Sequence, residues 1–154
     1  MKLDGSCRCG ALHFTVSSSA PYPYRICYCA RCRKIAGGTG AAINILADAD
    51  TLTVENDGTL TRYQDGDGGP VTAFCSRCGS ALFVELAAWP RFVYPFASAI
   101  DTPLPVPPHF IHIQLRERAD WVPLRAGPDD AEFETNTDES IAAWHQRMGL
   151  TDRE

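Results

Sequence analysis

Seven cysteines in three tight groups, Cys7/Cys9, Cys27/Cys29/Cys32 and Cys75/Cys78, constrain this 154-residue chain more than any other feature. Thiols so close together present their sulfurs to one local point, which a fold can satisfy with a metal ion. The odd count and tight spacings fit poorly with a secreted disulfide framework, so metal is favoured over disulfides. Seven divides naturally into four plus three. Four thiolates close a tetrahedral zinc site, whereas three leave one position open for a reacting ligand. A purely structural two-zinc protein would bring eight ligands, and the missing eighth is the functional clue.

Cys75-Ser76-Arg77-Cys78-Gly79 has the form of a zinc knuckle, with two residues between the sulfurs and a glycine that permits the tight turn. Cys7-Arg8-Cys9-Gly10 is its natural partner, and joining the two would staple the first strand to the middle of a sheet. Cys27, Cys29 and Cys32 are local enough for one turn to present all three to a second ion. Alternatives stay open. A fourth protein ligand from His13, His109, His112 or an acidic residue would close the second site, and a reversible disulfide could form between two of its cysteines. Cys29/Cys32 could also pair with Cys75/Cys78, which leaves Cys27 and the first pair without a task.

At 45% hydrophobic, the chain suits a single domain over residues 1–154, with a core at about 5–125 and a C-terminal helix at about 139–148. No run approaches the roughly 18 apolar residues of a membrane helix, and the first residues carry no apolar signal core. A soluble cytoplasmic protein is expected. The formal charge of −5 becomes about −8 once seven thiolates and two Zn²⁺ are counted, which disfavours nucleic acid as a partner.

Leu12, Phe14 and Val16 alternate with polar neighbours and predict a half-buried strand. Further strands are expected at 41–46, 52–55, 61–63, 71–74, 81–86, 92–96 and 110–115, punctuated by turns at Asp57-Gly58, 65–69 and Cys78-Gly79. A short helix is expected at 30–36, stopped by Gly37-Gly38. The C-terminal helix has Asp138 as candidate N-cap, an Ile141/Trp144/Met148 stripe and Gly149 beyond its end. The proline-rich segment 102–108 reads as a rigid loop, and the acidic patch 129–134 and tail 151–154 as solvated surface. Together these elements predict a mainly antiparallel β domain.

Gly5-Ser6-Cys7-Arg8-Cys9-Gly10, Cys27-Tyr28-Cys29-Ala30-Arg31-Cys32-Arg33-Lys34 and Phe74-Cys75-Ser76-Arg77-Cys78-Gly79 resemble the signature of the glutathione-dependent formaldehyde-activating, or centromere protein V-like, family. The resemblance covers residues 5–125, with Ile100-Asp101 and residues 116–121 resembling weaker later motifs. It implies an Mss4-like fold of antiparallel β-sheets with short helices. It also implies two zinc ions per chain: a structural one on Cys7, Cys9, Cys75 and Cys78, and a catalytic one on Cys27, Cys29 and Cys32. The implied activity is that of a carbon-sulfur lyase handling S-(hydroxymethyl)glutathione, with glutathione or its aldehyde adduct as the small-thiol partner. This chain departs from the pattern at Tyr28, where the family commonly has histidine, and its 66–69 turn and proline loop look idiosyncratic.

A zinc with one open position could hold a substrate thiol as thiolate, which would add to an aldehyde or leave from a thiol-aldehyde adduct. Arg31, Arg33 and Lys34 bracket Cys32 and could hold the carboxylates of a peptide-like thiol, or form a solvated helix face. Tyr28 would donate a hydrogen bond to substrate or pack against the sheet. His112, between Ile111 and Ile113, is expected at the surface or behind a ligand, and His145 is expected to be exposed. Trp89, Phe92, Tyr94 and Phe96 read as core or rim, and Asp101 as a turn residue. No Ser-His-Asp pattern, phosphate loop or carboxylate pair rises above background. The competing function classes are a non-enzymatic zinc module and a cysteine redox sensor.

Overall fold

The computed structural model describes residues 1–36, 38–56 and 58–151. The expected helix stop at Gly37, the Asp57 turn position and the tail beyond Thr151 lie outside the described residues. Among the described residues, eleven strands and two α-helices follow in chain order: β1 (Lys2–Ser6), β2 (Leu12–Ala20), β3 (Arg25–Cys27), α1 (Ala30–Ala36), β4 (Ala42–Ile43), β5 (Leu46–Asn56), β6 (Leu60–Gln64), β7 (Val71–Cys75), β8 (Ala81–Glu85), β9 (Phe92–Pro95), β10 (Ile111–Ile113), β11 (Ala131–Glu132) and α2 (Ile141–Arg147). The expected mainly β fold with short helices is what forms.

Seven strands make one antiparallel sheet in the order β1-β2-β5-β9-β8-β7-β6. A second sheet, β11-β10-β3-β4, carries β3 against β4 antiparallel and runs β10 parallel to both β3 and β11. The alternation in β2 does what its pattern dictates: Leu12, Phe14, Val16 and Ala20 are buried while His13, Ser17 and Ser19 face solvent. Ser18 is also buried, and its hydroxyl is satisfied by donating to the Leu46 carbonyl and accepting from the Ala20 N–H. Phe14 meets Phe83 edge to face at 5.7 Å in the main core, which also holds Leu3, Ile45, Leu82 and Val93.

Several boundaries differ from expectation for identifiable reasons. Segment 41–46 is no single strand: Ala42–Ile43 joins the small sheet, and Leu46 opens β5 in the large one, so the chain changes sheets there. The 110–115 strand shortens to Ile111–Ile113 because Gln114 adopts a left-handed φ of 59°, and a 3₁₀ turn follows at Leu115–Glu117. β3 and β11 are too short for periodicity to mark them and β1 has a single large apolar residue, Leu3; all three exist through pairing with longer or better-buried neighbours. The proline segment 102–108 forms no helix or strand, as expected. Among the described residues, no helix is long and apolar enough to cross a membrane.

The C-terminal helix starts later than its candidate cap. Ser140, not Asp138, is the N-cap: its hydroxyl accepts the Ala143 N–H at 3.1 Å, whereas Asp138 lies outside the first turn. Trp144 from this helix stacks on Tyr24, with ring centroids 3.6 Å apart and planes 7° from parallel. Ile111 and Ile113 complete that second core against the small sheet.

His145 corrects the expectation of exposure: it is fully buried. Its Nδ1–H donates to the Ile141 carbonyl at 2.8 Å, and its Nε2 accepts the Tyr22 N–H at 3.1 Å. Both nitrogens are thus used by the neutral ring, and a second proton on Nε2 would point at another N–H. Burial accordingly holds its pKa below the usual 6.5, although the Ile141 carbonyl opposes the shift. Below pH 6.5 the unfolded chain takes up a proton that the folded protein resists, so stability is full above that pH and falls as acid drives the folded group to protonate. Denaturant midpoints at pH 7.5 and about 5.5 should therefore separate less in His145→Gln than in the parent protein; equal separations would show that His145 does not carry this dependence.

Candidate metal centres

The first cysteine group is built from two similar turns, each closed by its first cysteine's N–H bonding to the carbonyl five residues on, Cys7 to Leu12 and Cys75 to Ser80, both at 3.0 Å. Within them the Gly10 N–H bonds to the Cys7 carbonyl at 3.0 Å in the β1–β2 turn, and the Gly79 N–H to the Cys75 carbonyl, one residue further back, at 2.8 Å in the β7–β8 turn. Both glycines sit at φ 75°, the left-handed region that a side chain would resist. The Arg8 N–H crosses to the Ser80 hydroxyl at 3.1 Å and ties one turn to the other. In the sheet order, β5 and β9 lie between β2 and β8, so the large sheet curls to bring these turns together.

The Sγ atoms of Cys7, Cys9, Cys75 and Cys78 all lie within 4.8 Å of one another. Cys7 to Cys9 is 3.5 Å and Cys9 to Cys75 is 3.8 Å. A tetrahedral ion with metal–sulfur bonds of about 2.3 Å places its sulfurs about 3.8 Å apart, so this donor set fits such an ion. The site electrostatics point the same way. Ser80, through its hydroxyl and then its N–H, holds the Cys78 thiol down at about 5, while at Cys9 a favourable Ala11 N–H is outweighed by burial and the other thiols, which push it up to about 11. Four neighbouring thiols cannot all ionise without a cation to offset them.

The second group is local. Cys27 ends β3, Cys29 caps α1 by accepting the Cys32 N–H on its sulfur at 3.4 Å, and Cys32 is buried within the helix. Hydrogen bonds from the Cys27 and Cys32 thiols hold Cys29 down at about 2; the same sharing pushes Cys27 up to about 11 and raises Cys32 further. The three sulfurs also lie within 4.8 Å of one another, and among the described residues no histidine or carboxylate joins them. His13 bonds to the Gly10 carbonyl and His109 packs on Trp144. The pairing of Cys29/Cys32 with Cys75/Cys78 is overturned, since these residues fall in separate clusters.

Ala30 and Arg31, the residues between Cys29 and Cys32, wall a cleft of about 700 Å³ whose other sides include Lys34, Tyr63, Asp65 and Phe74. Arg31 and Lys34 reach this cleft from one helix face. Arg33 does not line it, and its Nε is shielded from solvent without a hydrogen-bond partner. The aromatic residues read as core or rim behave so: Phe96 is buried and Trp89 exposed.

Tyr28 faces away from this arrangement. In the small sheet Ile26 is registered with both His112 and Ile43, whereas Cys27 is registered with Ile113 and Ala42. Alternation therefore puts Tyr28 with Ile26 on the other face, where both line a cavity of about 500 Å³ with Ile43, His112, Trp121 and Arg125. The Tyr28 hydroxyl meets His112 Nδ1 at 3.0 Å, and His112 Nε2 meets Asp130 Oδ2 at 3.1 Å. Phe110 and Gly127 N–H groups, together with His112, hold the Asp130 carboxyl down at about 2 against burial, so it is an ionised acceptor. That fixes the His112 proton on Nε2 and leaves Nδ1 to accept from Tyr28.

His112 is consequently buried and not at the surface, and Asp130 is no part of a solvated acidic patch. The His112 placement was readable in part from its alternation with Ile111 and Ile113; nothing in the run 129–134 singles out Asp130.

Comparison with known proteins gives a consistent picture. A family model described as "Glutathione-dependent formaldehyde-activating enzyme" matches residues 2–115, a span that contains all seven cysteines. A Halomonas elongata protein provisionally named a glutathione-dependent formaldehyde-activating enzyme is 51% identical over 154 residues, covering 97% of this chain and 98% of its own. A crystal structure of a Rhodobacter sphaeroides protein matches with a TM-score of 0.55 at 27% identity, over 68% of this chain and 92% of that one.

Proposed function

Because the chain belongs to the glutathione-dependent formaldehyde-activating family, we propose that it is a zinc-dependent carbon-sulfur lyase acting on adducts of a small thiol such as glutathione with an aldehyde. The observation that carries this reading is the sorting of seven thiols into a cluster of four and a cluster of three to which no other described side chain adds a ligand. Cys7, Cys9, Cys75 and Cys78 would hold a structural zinc, and Cys27, Cys29 and Cys32 a second zinc with one position left for substrate. When bound there, zinc would supply a Lewis acid suited to keeping a substrate sulfur as its thiolate at neutral pH.

The chain's own residues bind and orient. Arg31 and Lys34, in the wall of the cleft beside the three cysteines, hold substrate carboxylates. Tyr28 acts as a positioning residue: its bond to buried His112 fixes the turn between Cys27 and Cys29. In the synthetic direction the thiol sulfur gives up its proton and bonds to the aldehyde carbon, and the carbonyl oxygen takes a proton. In the lyase direction the hydroxyl proton leaves, the carbon–sulfur bond breaks, and sulfur regains a proton. We also read residues 1–154 as one domain in a reducing cytoplasm, where all seven cysteines remain free thiols available to metal.

The test is a matrix of thiols and aldehydes offered to protein purified without chelator and shown to carry two zinc ions per chain. Faster approach to the thiol-aldehyde equilibrium than in buffer is expected for at least one pair. No acceleration for any pair by the fully loaded protein would sink the reading.

A further inference from the structure

The cleft walled by Ala30 and Arg31 contains one acid, Asp65, as well as the two bases Arg31 and Lys34. Arg31 Nη1 lies 3.8 Å from Asp65 Oδ2, an ion-pair distance too long for a hydrogen bond, and Oδ2 accepts no hydrogen bond from any side although water does not reach it. Asp65 sits at the end of β6, on the turn closed by the Asp65 N–H bonding to the Pro70 carbonyl. The cleft thus offers two cations and one loosely held carboxylate along a wall that also carries Tyr63, Thr72 and Phe74.

A site for a simple carboxylate needs no acid, which would repel the ligand. Two cations and one anion match the free end of an α-amino acid, where a carboxylate and an ammonium share one carbon. Resting on the thiol-adduct reading above, we propose that Asp65 is a specificity residue that selects thiols bearing a free α-amino acid end. Arg31 turns from Asp65 to the ligand carboxylate together with Lys34, and the ligand ammonium takes the place of Arg31 at Asp65. The apolar surfaces of Tyr63 and Phe74 take the intervening methylenes. About 700 Å³ is within the range of pockets that bury ligands of peptide size. Charged hydrogen bonds left unpaired by a ligand lacking the ammonium give the discrimination.

Calorimetric titration of the zinc-loaded protein tests this with two unreactive ligands: S-methylglutathione, and the same molecule with its α-amino group replaced by hydrogen. The parent protein should bind the amino form about tenfold more tightly. Asp65→Asn, with zinc content and thermal midpoint unchanged, should weaken the amino form about tenfold and leave the other unchanged or tighter. Lys34→Ala should weaken both alike. If Asp65→Asn weakens both ligands equally, Asp65 only anchors the turn and the inference fails. It fails also if the parent protein binds both forms equally while still turning over thiol-aldehyde adducts, in which case the lyase reading stands alone. Binding of neither ligand overturns the inference, while the lyase reading still stands or falls with the turnover matrix.

Discussion

Cys75→Ser is expected to leave the chain largely unfolded at 25 °C. Cys75 is fully buried at the end of β7, its sulfur 3.8 Å from Cys9 across the junction of two turns far apart in sequence. Under the proposed assignment it supplies one of four ligands that hold the large sheet in its curl. Structural zinc contributes an apparent 10 to 16 kcal/mol in small zinc peptides, roughly the whole net stability of an ordinary domain at about 5–15 kcal/mol. Losing even half of it removes most of the margin. Far-UV circular dichroism and a chelator titration read this directly: the variant should lack the cooperative transition of the parent, and strong chelation of the parent should reproduce the variant. A variant that melts like the parent while holding one metal fewer would show that the strands close the sheet without the ion.

Cys32→Ser is expected to do the opposite: keep the fold and stop the chemistry. The three-cysteine cluster joins only β3 to the start of α1, so no distant strands come apart when a ligand is lost. Metal content should fall from two ions to one, with a thermal midpoint close to that of the parent. Losing an outer partner of a ligand already costs about ten- to a hundredfold in affinity or activity, so loss of a ligand itself should lower turnover of thiol-aldehyde adducts by about a hundredfold or more. Retained turnover with one ion per chain would place the chemistry elsewhere, and the 500 Å³ cavity at Tyr28 would be the next place to look.

These opposite expectations come from one motif pattern, and most of that pattern is readable without coordinates. The spacings of Cys7/Cys9 and Cys75/Cys78, each trailed by glycine, predict two like turns, and the turns share φ 75° glycines and a first-cysteine N–H bonded to the carbonyl five residues on. Residues 30–36 and the alternation at Leu12, Phe14 and Val16 carry enough local signal to be placed correctly. β1, β3 and β11 do not, because β3 and β11 have only three and two residues, β1 has Leu3 as its single large apolar residue, and their stability lies in the neighbour. Ser140 displaced Asp138 as cap because both are good capping residues and tertiary packing of Trp144 chose the phase.

The histidines show the same limit from the polar side. His145 lies on a helix whose exposed residues, Ala142, Ala143, Gln146 and Arg147, mark no clear apolar face, so its burial depends on Tyr22 arriving from a segment remote in sequence. His112 and Asp130 meet Tyr28 only through parallel pairing of β10 with β3, a contact with no local trace.

The amino-acid sequence alone determined that the seven thiols would stand in three local groups, because donors held a few bonds apart can face one ion without help from the rest of the chain; which groups meet was decided by the fold. Tertiary structure alone decided that no described histidine or acid completes the second set, that Tyr28 points to the opposite face, and that Asp65 faces Arg31 in the wall of the cleft. Those outcomes depend on which strands pair and how far the sheet curls, and burial of the whole core sets both.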